Sequence, residues 1–491
     1  MKKQIAIIGS GIAGLASAIR LAKLGFEVKI FEKNNFAGGK INELLLNGYR
    51  FDTGPSVLTL PELLDELIET SGFKPEDLYH LYKLENLCRY FYPDGTILNA
   101  YSDVNRFAEE AEQVSGEPAE NIINYLNKSR KMFEHVSDIF LSGSSHILKT
   151  FKTEVLKKFI CKWKKLDSLT SMHKRNTKSF KTEKLVQLFD HYATYLGSNP
   201  YKIPATYNII SHLEHNVGSF IPKGGMRKVI SVMVDMCEKL GVKIELNSFV
   251  EKVLVNKNKI EGIVVNGKNQ YCDIVICNSD IHYFRNNLID TTITKQDEIK
   301  QELSSSAIIF YWGMDRTFDE LDTHNILFSG NYEEEFEYLF NYKTLYKDPT
   351  VYLFISSKLN PEDAPAKSEN WFCMINSPHV EGHCWETMVQ KVKKIIIDKI
   401  NKTLFCDISR HIETESVLHP QMIEQITHSY KGALYGQSSN SRFSVFKRQP
   451  NFDRKIKGLY YAGGTVHPGG GIPLCLLSAK IVAELIQKKY M

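Results

Sequence analysis

An α/β fold is predicted, with a Rossmann-like nucleotide-binding domain interleaved with a mixed-sheet domain and a helical part. Three features of the 491-residue sequence predict it. A buried-strand pattern at residues 4–8 runs into Gly9-Ser10-Gly11-Ile12-Ala13-Gly14, and an apolar-periodic helix follows (Leu15, Ala18, Ile19, Ala22). A second glycine-rich turn, from Ala462-Gly463-Gly464 to Gly469-Gly470-Gly471, follows a strand-like run at the other end of the chain. Between them strands and helices alternate without a Gly/Ser linker, repeat or low-complexity tract, so the domains interweave along the chain.

The first unit closes with the strand-like run Glu27-Val28-Lys29-Ile30-Phe31 and Glu32, which lies 18 residues beyond Gly14. In such a unit Gly9 permits a tight turn, Gly11 lets backbone approach a pyrophosphate, and Gly14 lets the helix pack closely on the strand. The helix start at Ile12 and Ala13 offers free N–H groups and a positive dipole end to phosphate. Glu32 stands where a carboxylate accepts ribose hydroxyls. The fingerprint alone does not separate NAD from FAD. Gly38-Gly39-Lys40 adds a second glycine pair that can bring more backbone N–H donors to the same pyrophosphate.

Residues 57–130 read as helices around a short hairpin, Arg89–Tyr92 and Thr96–Leu98, turned at Pro93-Asp94-Gly95. Residues 103–145 read as helical. From 147 to 166 apolar residues recur at helical spacing (Leu148, Phe151, Val155, Leu156, Phe159, Ile160, Trp163, Leu166), with lysines crowding the other face. Residues 185–213 read as helical with a break at Gly197-Ser198-Asn199-Pro200. Then Gly218–Ile221 leads to Pro222–Met226 and a helix to Leu240, followed by Val242–Leu246, a hairpin through 251–265 and a buried strand at 273–278. Residues 300–425 alternate strands and helices, and Ala307–Trp312 is the most aromatic strand, expected to wall a ligand site. The final strand leads into Gly463–Pro473 and a last helix. There the N-terminal N–H groups of Gly471, Ile472 and Pro473's successors stand at a positive dipole end.

Composition excludes several classes. No run approaches the ~20 apolar residues of a membrane span. Strand and glycine turn occupy the place of a signal peptide, so a cytoplasmic location is expected. The nine cysteines form no CxxC and the fifteen histidines no HExxH, so reduced thiols and no metal are expected. The net charge is only +4, but residues 147–184 hold eleven Lys and one Arg against three acids. A basic helix with Trp and Phe opposite its lysines suits the membrane interface; without a recognised nucleic-acid motif, no nucleic-acid partner is expected.

Taken together, Gly9–Gly14, Gly38-Gly39-Lys40, Phe51–Ser56, Gly218–Met226, Cys277–Asp280 and Tyr460–Pro473 resemble the bacterial phytoene-desaturase family of carotenoid desaturases over essentially the whole chain. The block His191-Tyr192-Ala193-Thr194-Tyr195-Leu196-Gly197 to Tyr201 resembles the 1-hydroxycarotenoid 3,4-desaturase branch. One departure is Gly463-Gly464-Thr465-Val466, where many members carry Gly-Ala-Gly-Thr.

The resemblance implies FAD as cofactor, an apolar C40 carotenoid as substrate, peripheral membrane attachment, and quinone or oxygen as electron acceptor. The FAD domain would comprise 1–100, 218–290 and 425–491. A helical, membrane-associating part would take 101–217 and a substrate-binding domain 291–424. Beyond the fingerprint residues, FAD contacts are implied at Lys33, Gly54, Pro55, Ser56, Asn278 and Val250, the last through backbone beside the adenine. His191, Tyr192, Tyr195 and His467 are the candidates for proton transfer. The rival readings are a phytoene or dehydrosqualene desaturase, a carotenoid isomerase, an amine oxidase, and a prenyl-lipid carrier of the same fold.

Overall fold

A computed structural model of the chain describes residues 3–140, 167–290, 302–442 and 444–491. The basic segment 147–166, with the membrane attachment expected of it, lies outside the described residues.

The nucleotide-binding unit is a five-stranded parallel sheet in the order Leu459–Tyr461, Ile274–Cys277, Gln4–Ile8, Glu27–Phe31, Lys243–Glu245. Parallel strands covered on both faces need apolar side chains at every position, which is why the two central runs, Gln4–Ile8 and Ile274–Cys277, are nearly unbroken Ile, Val and Ala, while Glu27–Phe31 and Lys243–Glu245 toward the edge carry charges. Successive residues face opposite sides. Ile5, Ile7, Val28, Ile30, Ile274 and Ile276 pack against the helices Ile12–Lys23, Arg227–Lys239 and Ile472–Tyr490. Ala6, Ile8, Phe31, Val275 and Cys277 pack against a three-stranded antiparallel meander, Val250–Asn256, Lys259–Val265 and Lys268–Tyr271. The chain leaves the central strand to pair on one side with Glu27–Phe31 and returns much later to pair on the other. That reversal opens a crevice at the strands' carboxyl ends, where ligands bind in such sheets.

The second sheet has seven strands in the order Ile412–Leu418, Ser306–Met314, Glu369–Ser377, Val351–Phe354, His324–Leu327, Asn86–Phe91, Ile97–Tyr101. It is mixed: only His324–Leu327 and Asn86–Phe91 run parallel. The hairpin at 86–101 therefore belongs to this sheet, and the boundary expected near residue 100 falls earlier. The hairpin was legible from its turn, but strand partnership across more than two hundred residues is a tertiary choice.

All nine residues of Ser306–Met314 are buried, because the strand is covered on both faces. Phe310, Trp312 and Met314 meet the helix Trp385–Leu404, whose Trp385, Val389, Val392, Ile396 and Ile400 form one stripe. Ala307, Ile309 and Tyr311 face the opposite way, toward helices of 104–140 and 183–217. The expected wall of Ala307–Trp312 is thus corrected to its alternate residues. Phe310 and Trp312 cannot reach a ligand on the helical side. No helix among the described residues is long and apolar enough to cross a membrane.

Candidate active site

The two glycine motifs, 450 residues apart in sequence, converge on one side chain. Asn278 follows the strand Ile274–Cys277 directly, and its N–H donates to the Ile8 carbonyl (2.8 Å). Its Nδ2 donates to the Ala462 carbonyl (2.8 Å). A Cβ at Gly14 would lie 2.3 Å from the Gly9 carbonyl oxygen and 2.7 Å from Asn278 Oδ1. One at Gly463 (φ +135°) would lie 2.9 Å from Asn278 Nδ2. Buried Oδ1 of Asn278 has no hydrogen-bond partner. The second glycine pair stacks on the first: Gly38 N–H donates to the Ser10 carbonyl (3.0 Å), and a Cβ at Gly39 would touch Gly11 Cα at 3.5 Å.

Glu32 is buried at the neighbouring strand end. One of its oxygens accepts from Ser10 N–H and Oγ (2.9 and 2.8 Å), the other from Asn34 N–H and Nδ2 (3.0 and 2.9 Å). Four donors hold the carboxylate beside the fingerprint turn. The segment leading to Val250 runs alongside, with Ser248 N–H donating to the Glu32 carbonyl (2.7 Å), and Val250 itself is buried. Lys33 turns away, its ammonium donating to the Gln425 carbonyl (2.7 Å).

Lys40 is half-buried and its ammonium donates to the Leu434 carbonyl (2.5 Å); desolvation pulls its pKa down. Gly54 passes so close to that stretch that a Cβ would lie 2.0 Å from the Lys40 carbonyl oxygen. Ser56 pairs with the Tyr352 hydroxyl (2.5 Å) and so points toward the second sheet. Pro55 is exposed between them. At the C-terminal motif a Cβ at Gly464 would lie 3.2 Å from Gly470 Cα, so strand end and helix start sit side by side, while none would meet an obstacle at Gly471. Thr465 Oγ1 accepts from Ile281 N–H (3.1 Å), which fixes the side chain while leaving its O–H able to donate.

These features fit FAD. Three close-packed glycine turns, two helix N-termini and a braced acid line one crevice, and the atoms a Cβ would strike are backbone at Gly14 and Gly54 and the anchored Asn278 side chain at Gly11, Gly14 and Gly463.

The four proton-transfer candidates sit in different surroundings. His191 Nδ1 meets the Tyr332 hydroxyl (3.3 Å), and burial drives its pKa down to about 4, so the imidazole is neutral at physiological pH. The Tyr195 hydroxyl donates to Glu214 Oε2 (2.6 Å), and burial raises its pKa well above the usual value. Tyr192 pairs with His215 Nε2 (2.9 Å). His467 is fully buried, its carbonyl fixed by Asn451 Nδ2 (2.7 Å) and Ser478 Oγ (3.0 Å). Tyr195 brings three of them together, its ring centroid 6.3 Å from that of His191 and 5.5 Å from that of Tyr192, while His467 stands on the C-terminal motif.

Three residues the sequence did not single out stand out instead. Arg448 is 4% exposed, yet its contacts are long ones to neutral oxygens: Gly464 O (3.4 Å), Gln437 O (3.3 Å) and Ser439 Oγ (3.5 Å). Tyr435 links the two halves of the site, since a Cβ at Gly470 would lie 2.7 Å from its ring and one at Gly197 3.0 Å. Glu214 lies within the aromatic core on a π-helical turn, Leu213–Val217. In sequence Arg448 sits in a basic loop and Glu214 among polar neighbours, so each reads as solvated surface; burial is the only signal.

Burial pushes Glu214 from the usual 4.5 up to about 7, with the Tyr195 and Tyr192 hydroxyls opposing the shift. A carboxyl with a raised folded-state pKa binds its proton more tightly when folded. The stability it contributes is full below the unfolded value and is lost as pH rises to the folded one. At ~1.4 kcal/mol per unit the loss amounts to about 3 kcal/mol at most. Glu214→Gln should therefore gain stability relative to the parent between pH 5 and pH 8. Unfolding midpoints at the two values check it, and a difference independent of pH would count against a buried, titrating carboxyl.

The chain matches the flavin containing amine oxidoreductase model over residues 12–370. It is 46% identical to the 1-hydroxycarotenoid 3,4-desaturase of Flavobacterium sp. (strain P99-3), over 99% of both chains. It is 30% identical to the phytoene desaturase of Fusarium fujikuroi, over 99% of this chain and 90% of that one. Among solved structures it is similar to a putrescine oxidase bound to putrescine, with a TM-score of 0.65, 14% identity and 99% of each chain covered. That last likeness concerns the fold alone.

Proposed function

Since the chain belongs to the flavin-containing amine oxidoreductases, and within them to the carotenoid desaturases, we propose that it carries out FAD-dependent 3,4-desaturation of a 1-hydroxylated acyclic C40 carotenoid. The observation that carries this reading is the 46% identity across 99% of both chains. The fold is compatible with it: a buried aromatic cluster lies between the second sheet and the helices of 104–140 and 183–217.

Bound FAD supplies a two-electron hydride acceptor; the chain's own residues bind, orient and shield. The N–H groups at Gly11–Gly14 and around Gly38-Gly39 would hold the diphosphate, Glu32 the ribose, and backbone at Val250 the adenine. The helix start at Gly471–Pro473 and the Arg448 guanidinium bring positive charge to the flavin end of the site. Tyr90, Phe189, Tyr192, Phe328 and Phe372 are all buried in one aromatic cluster, an apolar surrounding that would keep water from an oxidisable polyene bound against it. Catalysis is then largely positioning and preorganised electrostatics. Quinone or oxygen takes the electrons. The basic amphipathic sequence at 147–166 supports attachment to the membrane in which so apolar a substrate dissolves.

The test is turnover on liposomes holding either phytoene or a 1-hydroxylated acyclic carotenoid, with FAD and a quinone, followed by visible absorption. A red shift with the hydroxylated substrate alone is expected. A shift with phytoene alone would assign an earlier pathway step, and isomer change without a longer chromophore would indicate an isomerase.

A further inference from the structure

A carboxyl group buried beside the aromatic cluster has no role in binding flavin. Glu214 is 3% exposed. Among the described residues no lysine or arginine forms an ion pair with it. Its one short hydrogen bond is from Tyr195, within the block 191–201, and the Tyr192 hydroxyl also bears on its titration. Around it stand Cys88, Tyr90 and His215, the last stacked on Phe107 (ring centroids 4.7 Å). A chamber for a pure hydrocarbon gains nothing from such a group, because burying a carboxyl without full compensation is costly. The cost is sensible where a ligand brings a polar partner.

The position suits one end of the substrate. In 3,4-desaturation a hydroxyl on C1 sits only three or four bonds from the reacting carbons, so its partner must lie close to the flavin crevice. Two links place Glu214 there. Ser56, on the flavin side, bonds Tyr352 (2.5 Å), which lies within electrostatic reach of both Glu214 and Tyr195. Gly197, two residues past Tyr195, packs against Tyr435, whose ring also covers Gly470 of the flavin motif.

We propose that Glu214, oriented by Tyr195, is the receptor for the substrate's tertiary hydroxyl and the residue that selects hydroxylated over non-hydroxylated carotenoid ends. The inference rests on the reading of this chain as a 1-hydroxycarotenoid desaturase. A site built around a substrate hydroxyl rejects the analogue lacking it strongly, because its own polar groups are then left unpaired.

The experiment uses FAD-loaded enzyme on liposomes, with a 1-hydroxylated acyclic carotenoid and its non-hydroxylated counterpart, and separates kcat from KM. The parent is expected to favour the hydroxylated chain by ~100-fold or more in kcat/KM. In Glu214→Leu the ratio should collapse toward one, chiefly through KM for the hydroxylated chain. In Glu214→Gln, which still hydrogen-bonds, most of the preference should return. Tyr195→Phe should lose about 5- to 10-fold, and it carries the test if the leucine variant fails to take up flavin. A parent ratio near one overturns the proposed substrate and this inference with it. A high parent ratio unchanged in Glu214→Leu and Tyr195→Phe overturns the receptor alone. Loss of kcat on both substrates in Glu214→Gln, with binding intact, also overturns it and makes the carboxyl a proton acceptor.

Discussion

Gly14→Ala is expected to leave a folded chain that no longer retains FAD. The alanine Cβ would stand 2.3 Å from the Gly9 carbonyl oxygen and 2.7 Å from Asn278 Oδ1. Neither can yield easily. The carbonyl is part of the turn that presents the pyrophosphate donors, and Asn278 is held through its own N–H by Ile8 and through Nδ2 by Ala462. The helix Ile12–Lys23 must back away from the strand, carrying its N-terminal N–H groups out of register with the phosphates. Overpacking of this kind costs about 1–3 kcal/mol in stability, and the displaced donors should cost at least ~100-fold in affinity, or about 3 kcal/mol. The ratio of flavin to protein absorbance in the purified enzyme, with the unfolding midpoint, measures both. Gly11→Ala should be milder, since its Cβ would meet only the Asn278 side-chain oxygen, at 3.0 Å. Gly25→Ala is the control: its φ of +90° strains an alanine, but nothing lies within 4 Å, so stability should drop while flavin content holds. Full flavin occupancy in Gly14→Ala would remove the fingerprint from the binding site.

Arg448→Met should separate stability from cofactor binding. A buried guanidinium without a carboxylate pays for its desolvation with three long contacts to neutral oxygens, and burial lowers its pKa. Methionine fills a similar volume without that penalty, so the flavin-free protein should be as stable as the parent or more so. FAD bound beside Gly464 and Gly469, which Arg448 touches, would supply the cation's compensation. Its loss should weaken FAD binding by ~10- to 100-fold, the weight of a charge-assisted contact. The midpoint potential should fall by about 30 mV or more, since reduction adds negative charge that the guanidinium no longer meets. Fluorescence titration and a reductive titration measure the two. A destabilised apoprotein with unchanged FAD affinity and potential would instead make Arg448 a strut between the loop 437–439 and the glycine turn.

Much of this site was readable in the linear sequence because its chemistry is carried by backbone. Glycines at 14, 38 and 463 mark places where a Cβ would strike a neighbour within 3 Å, and those at 9 and 39 take a positive φ, so the glycine pattern itself marks the turns. The acid Glu32 was legible for the same reason, being a fixed number of residues from the turn. Lys33 shows where proximity in sequence misleads: one residue on, the side chain leaves the crevice for Gln425. The aromatic strand at 306–314 shows another limit. Its composition announces a buried strand, but period-two alternation sends Phe310 and Trp312 to the far side of the sheet.

Local order therefore came from the sequence by itself: which segments are strands and helices, where the chain must turn on glycine, and that a dinucleotide-type unit opens the chain and a second glycine motif closes it. These follow from short-range sterics and hydrophobic periodicity, which act between residues a few positions apart. Tertiary structure alone decided that the hairpin at 86–101 joins the second sheet, that Asn278 stands between two distant glycine turns, and that Arg448 and Glu214 are buried rather than solvated. Burial of a charge depends on what packs over it from elsewhere in the chain, and no local pattern records that.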